Sequence, residues 1–212
     1  MISRLGLLGG MFDPVHKGHV SAARYALDLL QLDCVKMLPC NQPNHRAAGN
    51  AAPHHRLAML ELSLENENSI EADALELERG GISYSIDTLI HFRKMLDSAQ
   101  IVFVLGMDAM NSIPGWHRWQ EMFEYCHFLV LGREGKDLDQ STQEAIGLDS
   151  RLVVSASDLF KSSHGAIYIA REFDFEASSS SVRELLASKA PLETILPAKV
   201  NDYIKRNNLY CT

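Results

Sequence analysis

Short apolar runs alternate along the chain with segments whose apolar residues recur every three or four positions. RLGLLG, from Arg4 to Gly9, predicts a first strand, and His19 to Leu30 predicts a helix with Ala22, Ala23, Ala26, Leu27 and Leu30 on one face. CVKMLP predicts a second strand, HHRLAMLELSLENE a second helix and SIEADALEL a third strand. Ser85 to Leu96 predicts a helix, followed by IVFVLG, whose unbroken apolar character suits a strand buried on both faces. CHFLVLG is a fifth strand, and RLVVS and AIYIA are two further candidates. The tail carries helical patterns at SSVRELLASK and PAKVNDYIKRNN, with Pro197 suited to a first helical turn. Strands alternating with helices predict one α/β domain over residues 1–212, built on a mostly parallel sheet flanked by helices. PCNQPNHRAAGNAAP and LGREGKDLDQSTQEAIGLDS interrupt the rhythm and read as surface loops.

Composition narrows the class. The 212 residues are 46% hydrophobic, enough to bury a substantial core, and the formal net charge of −7 disfavours a surface that wraps nucleic acid. A few basic groups can still gather around one small phosphorylated ligand. No apolar run approaches the roughly 18 residues of a membrane span, and MISRLGLLGGMF is too quickly interrupted for a secretory signal. Cys34, Cys40, Cys126 and Cys211 are scattered without a CxxC pair, as expected of reduced thiols in the cytoplasm, and Cys34 and Cys126 lie in apolar contexts that suit burial.

The first candidate for chemistry is GGMFDPVHKGHV, which follows the first strand directly. Ligands bind at the carboxyl ends of strands in open α/β sheets. Gly9 and Gly10 permit close backbone approach and unusual dihedrals there, and Pro14 stiffens the turn. His16 and His19, three apart, share a face if a helix starts near His16, where free N–H groups favour phosphate and protonated imidazoles would add charge. A tight strand-to-helix turn with a histidine cap is the plainer reading. The segment is neither GxGxxG nor GxxxxGK[ST].

GGMFDPVHKGH resembles the GG-x-FDP-x-H-x-GH signature of the HxGH nucleotidyltransferases, and within them the chain is similar to the bacterial nicotinate-nucleotide adenylyltransferases. Further blocks in the same order carry the likeness: PCNQPNHR, ISYSIDTL, GMDAMNSIPGW, FEASSSSVR and LPAKVNDYIKRNNLY. The resemblance implies a Rossmann-like nucleotidyltransferase fold and transfer of AMP from ATP, with Mg2+, to nicotinate mononucleotide, giving the dinucleotide and pyrophosphate. By motif it assigns catalysis to His16, His19, Arg46 and Arg183. It places ATP against Gly9, Gly10, Met11, Phe12, His16, His19, Gly106, Asp108, Ser178, Ser180 and Arg183, with the helical segment of about 179–212 completing that site. The acceptor falls to Asn44, His45, Arg46, Tyr84, Ser85 and Trp116. No covalent nucleophile, general base or protein-bound metal is required, because a mononucleotide phosphate is already nucleophilic. The work left is alignment of two anions and stabilisation of developing charge.

Several of these residues also have ordinary structural readings. Asp108 can cap a helix, Trp116 can be core, and ISYSIDTL can be a helix start. Ser181 and Glu184 fit a capping box. Adjacent His54 and His55 read as solvated helix residues rather than a metal pair. Met11 stands where the family usually has threonine, and Ala177 where isoleucine is common. If backbone groups matter at position 11, Met11 costs little. Other phosphorylated acceptors, including nicotinamide mononucleotide and phosphopantetheine, and a non-catalytic nucleotide-binding regulator are the competing functions. ATP and the acceptor mononucleotide are the expected partners, with neither nucleic acid nor membrane, and monomer and homo-oligomer stay open.

Overall fold

The computed structural model describes residues 2–43, 49–132, 135–173, 175, 178–188 and 190–210. The first half runs β1 (Arg4–Gly10), α1 (Lys17–Leu30), β2 (Cys34–Pro39), α2 (Pro53–Leu64), β3 (Ile70–Ala72), α3 (Leu75–Arg79) and α4 (Ser85–Met95). The second half runs β4 (Gln100–Gly106), α5 (Met107–Ser112), α6 (Trp119–Met122), β5 (His127–Leu131), α7 (Gln140–Ile146), α8 (Leu148–Arg151), β6 (Ile167–Ala170), α9 (Ser179–Ala187) and α10 (Ala198–Arg206).

The six strands form one sheet in the order β3-β2-β1-β4-β5-β6, and every neighbouring pair is parallel. Strand residues alternate between two apolar layers. Leu8, Val102 and Val104 join the core on the α1, α2, α9 and α10 side, whereas Leu7, Ile101, Phe103 and Leu105 join the core against α4 and α5. Burial on both faces explains why IVFVLG is continuously apolar. Val182, Leu192, Leu196, Val200 and Ile204 lie in the first of these cores, so the C-terminal segment packs on the same sheet as the rest.

The chain builds outward from β1 through β2 to β3, then returns to place β4 on the other side of β1. That reversal opens a crevice at the carboxyl ends of β1 and β4, where neighbouring helices leave on opposite faces. Leu8 pairs with Val104, which brings Gly10 and Gly106 to one edge.

The pattern misplaced a few elements. Only Ile70–Ala72 of SIEADALEL is a strand, because the Asp73 carboxylate accepts from the Leu75 N–H at 3.0 Å and turns the chain into α3. RLVVS contributes only an isolated bridge to β6, and Val154 is 94% exposed. The supposed loop LGREGKDLDQSTQEAIGLDS contains α7 and α8, separated by left-handed Gly147. Pro197 precedes α10 as its N-cap instead of lying inside the first turn.

Candidate functional site

The loop after β1 is held mainly by residue types whose backbone and rings are fixed from several sides. Neither Gly9 nor Gly10 has a positive φ, contrary to expectation; the left-handed residue is Phe12, at φ 47. Phe12 is buried and meets the edge of His19, with ring centroids 5.0 Å apart, so its side chain belongs to the core. Such a conformation persists in a bulky residue only where its surroundings impose it. Met11 presents its carbonyl to Arg56 Nη1 at 2.9 Å, which is a backbone role that any residue could supply.

His16 caps α1, and its own N–H donates to His19 Nδ1 at 3.2 Å. The two imidazoles stack with centroids 3.8 Å apart. Burial lowers the His16 pKa to about 4; burial and the neighbouring His16 hold His19 well below the ordinary histidine value. Both rings are therefore neutral near pH 7, so they offer hydrogen bonds there and not the charge that protonated imidazoles would add. Because His19 Nδ1 accepts, its proton sits on Nε2 and remains available as a donor. His16 Nδ1 is buried without a hydrogen-bond partner among the described residues.

Gly18 is required by close approach. A Cβ there would lie 2.3 Å from Phe175 Cδ1, and the Phe175 ring runs nearly parallel to His16 at 6.2 Å.

The N-terminus of α9 meets the same loop. Ser178 is the N-cap, with its Oγ accepting from Ser181 N–H at 3.1 Å, and Ser181 Oγ accepts from Ser178 N–H at 3.0 Å. The capping box therefore pairs Ser178 with Ser181, in place of the predicted Ser181 with Glu184. Ser179 Oγ donates to the Pro14 carbonyl at 3.0 Å. Arg183 donates to the Asp13 carbonyl at 2.6 Å through Nη1 and to Ser180 Oγ at 3.0 Å through Nη2. His16, His19, Ser178, Ser180 and Arg183, far apart in sequence, thus gather around two helix starts. Aligned peptide N–H groups there favour anions.

Beyond β4, Gly106 caps α5 and a Cβ on it would meet nothing within 4 Å, which leaves open space at the crevice. Asp108 lies in the first turn of α5 instead of at the cap, half-exposed and 2.5 Å from Lys136 Nζ.

On the acceptor side, Tyr84 precedes α4 and Ser85 opens it. Tyr84 packs on His117 with centroids 4.3 Å apart, and Trp116 stands edge-on to Phe103 while its indole N–H donates to Ser112 Oγ at 3.1 Å. Trp116 is part core and part exposed wall. The Asn41 N–H donates to Ser83 Oγ, and Ser83 N–H to the Gln42 carbonyl, both at 2.9 Å, so the chain leaving β2 is tied to the start of α4. Asn44, His45 and Arg46 lie outside the described residues, as do Ala177 and Cys211. His55 Nδ1 meets the Tyr203 hydroxyl at 2.9 Å, so it serves packing between α2 and α10. Cys34 and Cys126 are buried, and burial pushes both thiols up.

Asp13, Tyr210 and Arg56, with no role assigned from sequence, organise the site. Asp13 is 3% exposed; its Oδ2 accepts from Asn50 N–H at 2.6 Å and Asn50 Nδ2 at 3.2 Å, and its Oδ1 from Ala51 N–H at 3.1 Å and the Tyr210 hydroxyl at 2.7 Å. Burial alone would raise its pKa, but these bonds together leave it lowered. Arg56, 1% exposed, reaches Met11 and Asn41 carbonyls at 2.9 and 3.4 Å. Its spacing from Met59 and Leu60 put it on a buried stripe, a signal the sequence did carry.

Comparison with known proteins agrees with this arrangement. The cytidylyltransferase-like family model matches residues 7–185. A probable nicotinate-nucleotide adenylyltransferase of Aeromonas hydrophila is 38% identical over 206 residues, covering 97% of this chain and 96% of the relative. The protein of the same name from Pseudoalteromonas atlantica is 36% identical, covering 97% and 94%. Among solved structures, the Plasmodium falciparum nicotinic acid mononucleotide adenylyltransferase complexed with NaAD superposes with a TM-score of 0.75 at 18% identity, covering 98% of this chain and 97% of that one; at that identity the likeness concerns the fold. The chain belongs to the cytidylyltransferase-like nucleotidyltransferases, and within them to the nicotinate-nucleotide adenylyltransferase family.

Proposed function

We propose that the protein transfers AMP from ATP to nicotinate mononucleotide. A phosphate oxygen of the acceptor attacks the α-phosphorus of ATP, the bond to the β-phosphate oxygen breaks, and pyrophosphate leaves. The observation that carries this reading is the convergence of His16, His19 and Arg183 on two helix N-termini at the sheet's switch point. Neutral His19 donates through Nε2–H, and Arg183 supplies the fixed positive charge for the departing phosphates. In this reading α9 and the segment after it complete the ATP site, Asp108 lies toward the ribose, and magnesium arrives as part of the ATP substrate.

The acceptor's pyridine ring stacks on Trp116, and its carboxylate faces the start of α4 around Ser85. First-turn N–H groups and a hydroxyl suit a carboxylate acceptor, whereas an amide NH2 would oppose donor to donor and leave buried groups unpaired. The family to which the sequence relatives belong supports the same choice. Pyrophosphate release measured with ATP, magnesium and each mononucleotide tests it. About 100-fold higher kcat/KM for the nicotinate form is expected, from a mismatch of ~3 kcal/mol. Equal efficiencies would overturn the acceptor assignment, and no pyrophosphate with any phosphorylated acceptor would overturn the transfer itself. No described helix is long and apolar enough to cross a membrane.

A further inference from the structure

The carboxylate of Asp13 is buried at the base of the phosphate loop, where it accepts four hydrogen bonds and no cationic side chain bonds to it directly among the described residues. Three of the four donors come from Asn50 and Ala51, where the chain resumes a few residues after Asn44–Arg46. The fourth is the hydroxyl of Tyr210, 197 positions away. The backbone carbonyl of the same Asp13 receives Arg183. One residue therefore joins the phosphate loop, the base of the loop after β2, the start of α9 and the end of the chain.

Delivery of Tyr210 is built into the chain end. After α10, Asn208 and Tyr210 take left-handed conformations at φ 49 and φ 60, turning the backbone sharply back. Leu209 and Tyr210 pack on the core shared by α1, α2, α9 and α10. The ring is thus seated by apolar contact, and the hydroxyl adds a directed bond to a charged acceptor. Burial and the contact with Asp13 push the Tyr210 hydroxyl pKa far up, so it stays a proton donor across the working range.

We propose that Tyr210 is a positioning residue for adenylyl transfer: through the Asp13 carboxylate its hydroxyl sets the phosphate loop and the base of the acceptor loop in register. The proposal rests on the transfer reading above. The transfer requires two anions to be aligned, and a displacement of about 1 Å in such a site costs on the order of 100-fold. Loss of one of four restraints allows a smaller displacement, so about a 10-fold loss of kcat is expected.

The test is Tyr210→Phe, which keeps the ring and deletes the hydroxyl, beside Tyr203→Phe, which deletes a hydroxyl on α10 that faces His55. Kinetics, thermal melts and hydrogen exchange are read on full-length protein. Tyr210→Phe should lose about 10-fold in kcat, melt close to Tyr203→Phe, and exchange faster in peptides spanning Gly9–His19 and Gly49–Ala51, with β4 and β5 unchanged. Tyr203→Phe should keep wild-type kcat. Unchanged exchange in those two peptides, or a kcat loss that only follows the melting temperature, overturns the proposal. If the wild type transfers AMP to no acceptor, the transfer reading fails on its own, and the exchange comparison still decides whether Tyr210 holds the two loops.

Discussion

Arg183 donates from Nη1 to the backbone carbonyl of Asp13 at 2.6 Å, joining residues 170 positions apart, while Nη2 is held by Ser180 Oγ at 3.0 Å. The guanidinium is thereby oriented by two bonds before any ligand arrives. Lysine keeps the charge but cannot hold both contacts and still present a planar pair of donors. Arg183→Lys should lower kcat/KM for ATP by at least about 10-fold, the cost of ~1.4 kcal/mol, with the acceptor's KM much less affected. Wild-type ATP kinetics in the variant would remove Arg183 from the phosphate site.

His19→Ala should separate activity from stability. His19 stands in the first turn of α1 and its Nε2–H is uncommitted by the His16 contact, so truncation removes a donor from the site rather than a residue from the centre of a core cluster. Loss of one donor to a developing phosphoryl charge costs about 3–4 kcal/mol, or roughly 100- to 1000-fold in turnover. Steady-state rates and melts on one preparation check this. Near-wild-type turnover with a collapsed melt would make the residue structural.

Gly18→Ala should be repaired from the far side of the contact. A methyl group at position 18 would overlap the Phe175 ring, at 2.3 and 2.7 Å from two ring carbons, and overpacking of this kind costs about 1–3 kcal/mol. A Phe175→Leu change frees the space, so the double variant should melt higher than Gly18→Ala alone. Additive losses would show that the two residues do not meet.

Buried Arg56 bridges Met11 and Asn41 carbonyls, with no carboxylate in ion-pair contact among the described residues. Burial lowers its pKa, so removing it also relieves a desolvation cost. Arg56→Met should therefore change unfolding free energy by less than about 2 kcal/mol, because two hydrogen bonds are lost and one buried charge is relieved. It should lower kcat/KM by about 10-fold or more, because both loops lose a common support. Denaturant unfolding and kinetics measured together decide between this and a purely structural arginine.

Stability should fall on acidification through the titration range of the buried histidines. His16 and His127 are held near pKa 4 by burial, and His19 is also depressed, whereas the unfolded chain protonates these rings near 6.5. Between those values the unfolded state binds more protons, so stability is full above about pH 6.5 and declines toward pH 4. Each ring with a value near 4 contributes on the order of 3 kcal/mol across that window. Asp13 acts lower, because its depressed pKa maintains stability until pH falls through its folded value, below 3.8. Melting temperature against pH should slope between 6.5 and 4, and His127→Gln should flatten part of that slope. A flat profile would contradict the neutral, buried rings.

Alternating apolar runs and helical periodicities determined the parallel α/β fold because burial on two sheet faces imposes them locally: Leu7 and Leu8, or Ile101 and Val102, must point to opposite cores. The same local logic located the phosphate loop and the serine-rich start of α9, since strand ends, glycines and caps are written in consecutive residues. It failed where one nearby hydrogen bond redirected the chain, as when Asp73 turned the expected third strand into α3. It also could not show that His16 and His19 are neutral, because their charge depends on stacking and burial by Phe12 and Phe175. Nor could it join Asp13 to Arg183 and Tyr210. Those bonds span 170 and 197 positions and exist only because α9 and the chain end fold back over the first strand's loop. Sequence spacing records periodic burial within an element. Contacts between distant polar residues leave no such period, and only the packed tertiary structure decides them.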